Sequence, residues 1–232
     1  MTPAPPSRPL WVRLFLMVLC GGLIVTFIGL GNWQMRRLSW KLDLIEAVEA
    51  RAFGTPVSPP CNFQAVDHAY LRVRVTGMPI EAHFLVKAVT ELGPGYWVMS
   101  PLDTDTGILW VNRGFVARDA PSNTEWTRLP GSVEGLVRPT EPNGTILERN
   151  DPASGRWVSR DTRAMSDALG LGPTQRYFVD ADHIGHPQAW PRGGLTILKF
   201  RNNHLSYALT WYAMAALLFG TLIVITWRKR QD

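Results

Sequence analysis

Two long runs without a single charged residue, one near each end of the chain, constrain this sequence most. The first spans Leu14 to Trp33, 20 residues, and the second spans Leu205 to Trp227, 23 residues. A helix rises 1.5 Å per residue, so about 20 apolar residues cross a hydrocarbon core of ~30 Å. Buried helices of soluble proteins seldom run this far without a charge. A cleaved signal peptide has an apolar core of about 7–15 residues that ends at a small-x-small site. The first run is longer and no such site follows it. Val18-Leu19-Cys20-Gly21 departs from a lipoprotein box, because Leu19 is too large and the apolar run continues past Cys20. Both runs are therefore expected to be uncleaved transmembrane anchors.

The mean hydropathy of −0.04 hides this segregation, and the pI near 9.6 needs the same care. The tails outside the runs hold five Lys and Arg (Arg8, Arg13, Arg228, Lys229, Arg230) and one acid, Asp232, a net +4. Between the anchors, nineteen Lys and Arg face eighteen acids, a net +1. The basicity belongs to juxtamembrane tails, where it meets anionic lipid. No basic stripe for nucleic acid is present. Orientation by positive charge is a tie, since Arg36, Arg37, Lys41, Lys199 and Arg201 balance the five in the tails. Two spans place both termini on one side. Arg228-Lys229-Arg230 after the second span favours cytoplasmic tails and an exported domain.

These features divide the chain into a cytoplasmic tail 1–13, transmembrane helix 14–33, exported domain 34–204, transmembrane helix 205–227 and cytoplasmic tail 228–232. The domain opens with an amphipathic helix, 34–53, at or just above the membrane surface. Its Leu38, Leu42, Ile45 and Val48 share one helical face. Gly54 and a proline cluster to Pro60 stop it. Short strands follow. Tyr70–Thr76 alternates apolar and polar residues. His83–Val89, Tyr96–Ser100, Ile108–Val116, Ser132–Arg138, Arg156–Ser159, Arg176–Val179 and Thr196–Phe200 are the other candidates. Gly93-Pro94-Gly95 and Asp105-Thr106-Gly107 are expected turns. A short helix is expected near Arg163–Leu169, capped by Asp161 or Thr162. The fold class is membrane α+β: two transmembrane helices flanking a β-rich domain, a small antiparallel barrel or sandwich.

Candidate chemistry is sparse. The sequence holds no Gly-x-Ser-x-Gly, no His-Glu-x-x-His and no phosphate-binding glycine loop. No enzyme is expected. Cys20 and Cys61 form no Cys-x-x-Cys pair, and one His with two separated cysteines makes a poor copper site. His183 and His186 lack a third ligand nearby and read as loop residues; His68 and His83 stand alone. Arg113 and Arg118 read as a solvated face. Gly22, Thr26 and Gly29 permit close approach of a partner helix, either the second span or another protein; the alternative is that these glycines simply face lipid.

His204 differs. It sits at the mouth of the second span, after Asn202 and Asn203, either of which can cap the helix. The positive end of the helix dipole disfavours an imidazolium there, and a neutral imidazole is a competent ligand for iron or copper. Tyr207, Ala208, Trp211 and Ala215 follow on the same face, which suits a flat apolar ring slotted between helices. An ionisable residue at the edge of a span is a functional candidate. The bland alternative is an interfacial histidine beside an aromatic belt.

Several segments carry a resemblance. Gly31-Asn32-Trp33-Gln34 with Arg37 and Lys41 closes the first span. Pro94-Gly95-Tyr96-Trp97-Val98 with Pro101-Leu102, Val111-Asn112-Arg113-Gly114-Phe115, Arg138-Pro139 with Glu141, and Asn150-Asp151-Pro152 ahead of Trp157 mark the domain. Asn202-Asn203-His204-Leu205, Tyr207-Ala208 and Thr210-Trp211 open the second span. In this order, between two anchors, they resemble the surfeit-locus-one (Surf one) family of cytochrome oxidase assembly proteins. The resemblance implies an assembly factor for haem-copper (cytochrome c) oxidase that assists delivery of haem a to subunit I. It implies His204 as the iron ligand. On that reading Tyr207 and Trp211 would pack the macrocycle, and Lys199 or Arg201 would pair with its propionates. The implied partners are oxidase subunit I, haem A synthase and the bilayer. The resemblance also breaks the orientation tie and places the domain in the periplasm. The short N-terminal tail, without an Arg-rich amphipathic presequence, favours a bacterial inner membrane. The alternative is a membrane-anchored chaperone of oxidase subunits that never touches haem.

Overall fold

The computed structural model describes residues 9–120, 128–145 and 147–228. In chain order its elements are α1 (Leu10–Ala52), α2 (Ala65–His68), β1 (Arg72–Thr76), β2 (Met78–Pro79), β3 (Phe84–Thr90), β4 (Gly93–Thr104), β5 (Gly107–Ala117), β6 (Ser132–Pro139), α3 (Thr162–Ala168), β7 (Thr174–Ala181) and α4 (His204–Arg228), with a 3-10 turn at Pro152–Ser154. They fall into two units, one of residues 1–46 with 199–232, the other of residues 47–198.

The first apolar run and the expected amphipathic segment form one uninterrupted helix of 43 residues. No proline occurs between Pro9 and Pro56 to break it. At 1.5 Å per residue α1 is about 65 Å long, roughly twice what a hydrocarbon core requires. The second run becomes α4. Both helices are long and apolar enough to cross a membrane, and only 6% and 11% of their apolar windows are buried. The core helix of a soluble protein would be mostly covered. These faces instead offer apolar surface outward, as a lipid solvent requires.

The end of α1 is anchored by chemistry local to the domain. The last carbonyls of a helix lack intrahelical partners, and Arg72 Nε donates to Ala52 O at 2.8 Å. Arg51 reaches the carbonyls of Val66 and Asp67 at 2.7 and 2.8 Å.

The domain is built on one seven-stranded sheet curled into a half-barrel. The strand order is β1-β6-β7-β5-β4-β2, with β3 also on β4. The expected antiparallel pairing holds in every ladder but one, since β7 runs parallel to β5. A parallel pair needs a long crossover. The chain from β6 to β7, which carries the 3-10 turn and α3, lets β7 enter between β5 and β6.

Alternation along β5 and β7 explains their near-continuous apolar sequences. Leu109, Val111, Tyr177 and Val179 pack on one face with Val73, Val75 and Val137. Ile108, Trp110 and Phe178 pack on the other with Val86, Met99, Trp157 and Met165. Both faces of the central strands are therefore covered. The curled sheet stays open, and its edges are blunted by single bridging residues. Val57 bridges Val73 beside β1, and Trp157 bridges Val86 beside β3. Such cover keeps unpaired backbone groups from templating another chain.

α3 matches its expected position, and Asp161 Oδ1 accepts from Ala164 N at 3.1 Å as its cap. Three strand boundaries differ from expectation. Gly93-Pro94-Gly95 opens β4, and the tight turn lies one step earlier at Glu91-Leu92, with Gly93 at φ 94° taking the left-handed position. Arg156–Ser159 forms isolated bridges only, because Asn150 Oδ1 accepts from Val158 N and Ser159 N at 2.9 and 3.0 Å in place of a strand neighbour. Thr196–Phe200 has no regular structure, and Thr196 Oγ1 instead donates to Asp180 Oδ2 at 2.8 Å. The short β2 and α2 carried no periodic signal.

Trp110 joins the layers. It is fully buried, stacks 5.7 Å from Phe84 and donates through Nε1 to Ser166 Oγ at 2.8 Å. Trp110→Ala is expected to destabilise the domain by about 3–5 kcal/mol, read as a lower denaturation midpoint in urea followed by far-UV circular dichroism.

Candidate functional site: a histidine on the helix pair

His204 is the first residue of α4. Its N–H donates to Asn202 Oδ1 at 3.3 Å, so of the two expected caps Asn202 serves the open helix end.

Beside it, α1 and α4 pack antiparallel through a narrow seam. The rings of Phe27 and Trp211 lie 5.7 Å apart at 32°. Gly31 sits beneath Tyr212, where an added Cβ would overlap the ring. The Tyr212 hydroxyl donates to Asn32 Oδ1 at 2.7 Å. Gln34, only 9% exposed, places Oε1 2.7 Å from His204 Nδ1. Three members of the Gly31-Asn32-Trp33-Gln34 segment thus meet α4. Trp33 is 44% exposed and lies beneath the Arg37 guanidinium at 5.8 Å.

The seam separates the expected site residues. Ala208 and Ala215 are buried and Trp211 is half-buried against Phe27, so these residues close the helices together. Tyr207 is 55% exposed, on the outer side of α4. Trp211 and Tyr212 are turned toward α1, whereas Tyr207 is exposed. Lys199 and Arg201 are exposed and form no ion pair among the described residues. Lys41 Nζ lies 5.3 Å over the Phe200 ring. Gly22, Thr26 and Gly29 are exposed, and nothing lies within 4 Å of a Cβ at either glycine. Of the partners left open for that face, the second span is ruled out.

Gln34 and Tyr212 were not singled out from the sequence as site residues. The signal was present: Phe27, Gly31 and Gln34 recur at i, i+4 and i+7, one helical stripe that passes from apolar to small to polar.

The family model described as "SURF1 family" matches residues 22–216 of this chain. The chain belongs to that family. It is 34% identical to the human protein named Surfeit locus protein 1, over 83% of this chain and 71% of that one. The Xenopus tropicalis protein of the same name is 30% identical, over 93% and 76% of the two chains. A Monosiga brevicollis protein named SURF1-like protein is 33% identical, over 87% and 84%.

In the domain of this SURF1-family chain, three motif residues, Asn112, Arg138 and Glu141, join Arg160, Asp180 and Thr196 in a polar network. Asp180 accepts from Asn112 Nδ2 at 2.8 Å, Thr196 Oγ1 at 2.8 Å, Arg138 at 3.3 Å and Arg160 at 3.4 Å. Arg160 Nε donates to Glu141 Oε2 at 3.0 Å, and its guanidinium lies 4.7 Å over Phe178. Asn112 Oδ1 also accepts from Gly114 N at 3.1 Å. The cavity beside this network is small, about 220 Å³. These contacts give Asn112, Arg138 and Glu141 a structural role. A buried carboxylate needs such partners, and here it has four.

Arg113 does not belong to a solvated face. It is half-buried, burial lowers its pKa to about 10, and its Nη1 has no hydrogen-bond partner among the described residues. Arg118 is exposed as expected. Burial, then the charge of Arg113, lowers the pKa of His83. His183 Nδ1 accepts from Gly193 N at 3.3 Å and His186 Nδ1 accepts from Gln188 N at 3.2 Å, which fits their reading as loop residues. Among the described residues no three His, Cys, Asp or Glu side chains gather as a metal site.

Burial would push the Glu141 carboxyl up, but hydrogen bonds and charge from Arg160 outweigh it and hold it below the usual 4.5. A carboxyl depressed in the folded state adds stability above its unfolded pKa and loses it as pH falls through the lower folded value. The domain is therefore expected to lose stability progressively below about pH 4.5. Arg160→Met should be less stable at neutral pH and show a flatter acid dependence, measured as thermal midpoints from pH 7 to 3.

Proposed function

We propose that this chain is an assembly factor for haem-copper (cytochrome c) oxidase that holds haem a at His204 and passes it to subunit I. The carrying observation is the placement of His204: at the start of an apolar helix, half-buried, with one ring nitrogen engaged by Gln34. Family membership, together with the motif resemblance, supports the oxidase as the client.

The residues present fit an axial-ligand role. A ring nitrogen of His204 other than the one at Gln34 is available as a donor atom. Tyr207 offers exposed aromatic surface one turn away, and Lys199 and Arg201 are exposed cations suited to propionate carboxylates. Bound haem a would supply the iron that the oxidase later uses; the carrier itself performs no chemistry. A single protein ligand suits a carrier, because delivery requires release. In this role the chain is not an enzyme. It would sit as a two-pass protein in a bacterial inner membrane, with both termini cytoplasmic and the domain in the periplasm, near haem A synthase and subunit I.

A second reading is a protein chaperone of oxidase subunits that does not bind haem. The exposed Gly22-Thr26-Gly29 face favours it, since small residues let a partner helix approach closely.

An absorption spectrum of the detergent-purified protein, co-expressed with haem A synthesis, separates the two. Wild type is expected to carry a stoichiometric haem a band that His204→Ala loses or shifts. A colourless wild type from a host that makes free haem A would sink the carrier reading and leave the chaperone.

A further inference from the structure

The Gln34–His204 contact decides more than where the ring points. In a neutral imidazole one nitrogen carries a proton and the other a lone pair. A carboxamide oxygen has lone pairs only, so it accepts and never donates. With Gln34 Oε1 2.7 Å from His204 Nδ1, a neutral His204 makes this hydrogen bond only as the tautomer that carries its proton on Nδ1 and its lone pair on Nε2.

We propose that Gln34 is a positioning residue that fixes the His204 tautomer and so makes Nε2 the atom that binds iron. The inference rests on the carrier reading for its purpose, but the tautomer itself does not. Three observations carry it. Gln34 is 9% exposed although it is a polar residue on a helix long enough to cross a membrane. A buried carboxamide needs a partner for its polar atoms, and this one meets a histidine. The contact also spans 170 positions of sequence between two helices, so it joins α1 to the candidate ligand and does not serve local folding of α4.

Ligating histidines nearly always donate their second ring N–H to an acceptor that fixes tautomer and orientation and raises basicity. Most such acceptors are carboxylates, backbone carbonyls or water. A neutral carboxamide orients the ring equally well but increases its basicity less than a carboxylate would. That difference suits a ligand that must give its iron away. Gln34→Glu should therefore bind ferric iron more tightly and lower the reduction potential, and should deliver more slowly.

The test has two arms on the full-length protein in detergent. The first uses no haem. With ¹⁵N-histidine labelling, long-range ¹H–¹⁵N correlations report which ring nitrogen of His204 is protonated. Wild type should show Nδ1–H with an unprotonated Nε2, and Gln34→Leu should lose that preference. A wild-type spectrum with the proton on Nε2 would overturn the inference, whatever haem does. The second arm titrates haem A. Gln34→Leu should bind about 10- to 100-fold more weakly than wild type, while Gln34→Glu should retain binding and shift the reduction potential downward. The Gln34→Glu variant guards against a Gln34→Leu result that reflects misfolding. Equal affinity and an unchanged potential across all three proteins would defeat the positioning role while leaving the carrier intact. If wild type binds no haem A, the carrier reading fails, and the tautomer arm still decides whether Gln34 sets the ring.

Discussion

Between two helices in lipid there is no hydrophobic drive to associate, because the surrounding tails are as apolar as the side chains. Close packing and hydrogen bonds must hold the pair, and the α1–α4 seam supplies both. Gly31 admits the Tyr212 ring, and the Tyr212 hydroxyl reaches Asn32 across the space this opens. Phe27 and Trp211 fill the next turn. The Gln34–His204 bond closes the same seam at the first residue of α4. One stripe on α1 therefore performs two tasks. It fastens the helices, and it sets the orientation of the only histidine in the helix unit.

Much of this was legible in sequence for a physical reason. Two uncharged runs of sufficient length have few alternatives to spanning helices, and period-two alternation in Tyr70–Thr76 has few alternatives to a strand. The cap of α3 was legible because Asp161 precedes a helical pattern and its carboxylate finds a backbone N–H close by. What escaped was set by pairing, not by residue type. Nothing in Gly93-Pro94-Gly95 itself tells a strand start from a turn; its register against Ala88 to Thr90 across the Glu91-Leu92 turn decides it. Arg113 looked solvated because alternation assigns a charged residue outward, and only the assembled sheet shows its Nη1 enclosed.

The candidate site divides in the same way. His204 could be picked out because a histidine at the mouth of a span is rare and costly enough to need a reason. Tyr207 and Trp211 followed from helical spacing, yet spacing alone could not say that one faces outward and the other α1. Gln34 was visible only as one letter of a motif. Its partner lies 170 residues away, and no periodicity within either helix encodes that meeting.

The domain motifs bear on function by what they already accomplish. Asn112 and Arg138 both donate to Asp180, which has four donors in all, and Arg160 links Asp180 to Glu141. Asp180 is compensated by two arginines and Arg160 by two carboxylates, so the charges hold one another in place. Such a network specifies one conformation of the curled sheet and is poorly suited to gripping and releasing a ligand. His204 contrasts with it: a single engaged nitrogen, a half-exposed ring and two exposed cations near in sequence. A group meant to accept and then surrender its cargo should be held on one side only, and the one contact of a His204 ring nitrogen with Gln34 fits that demand.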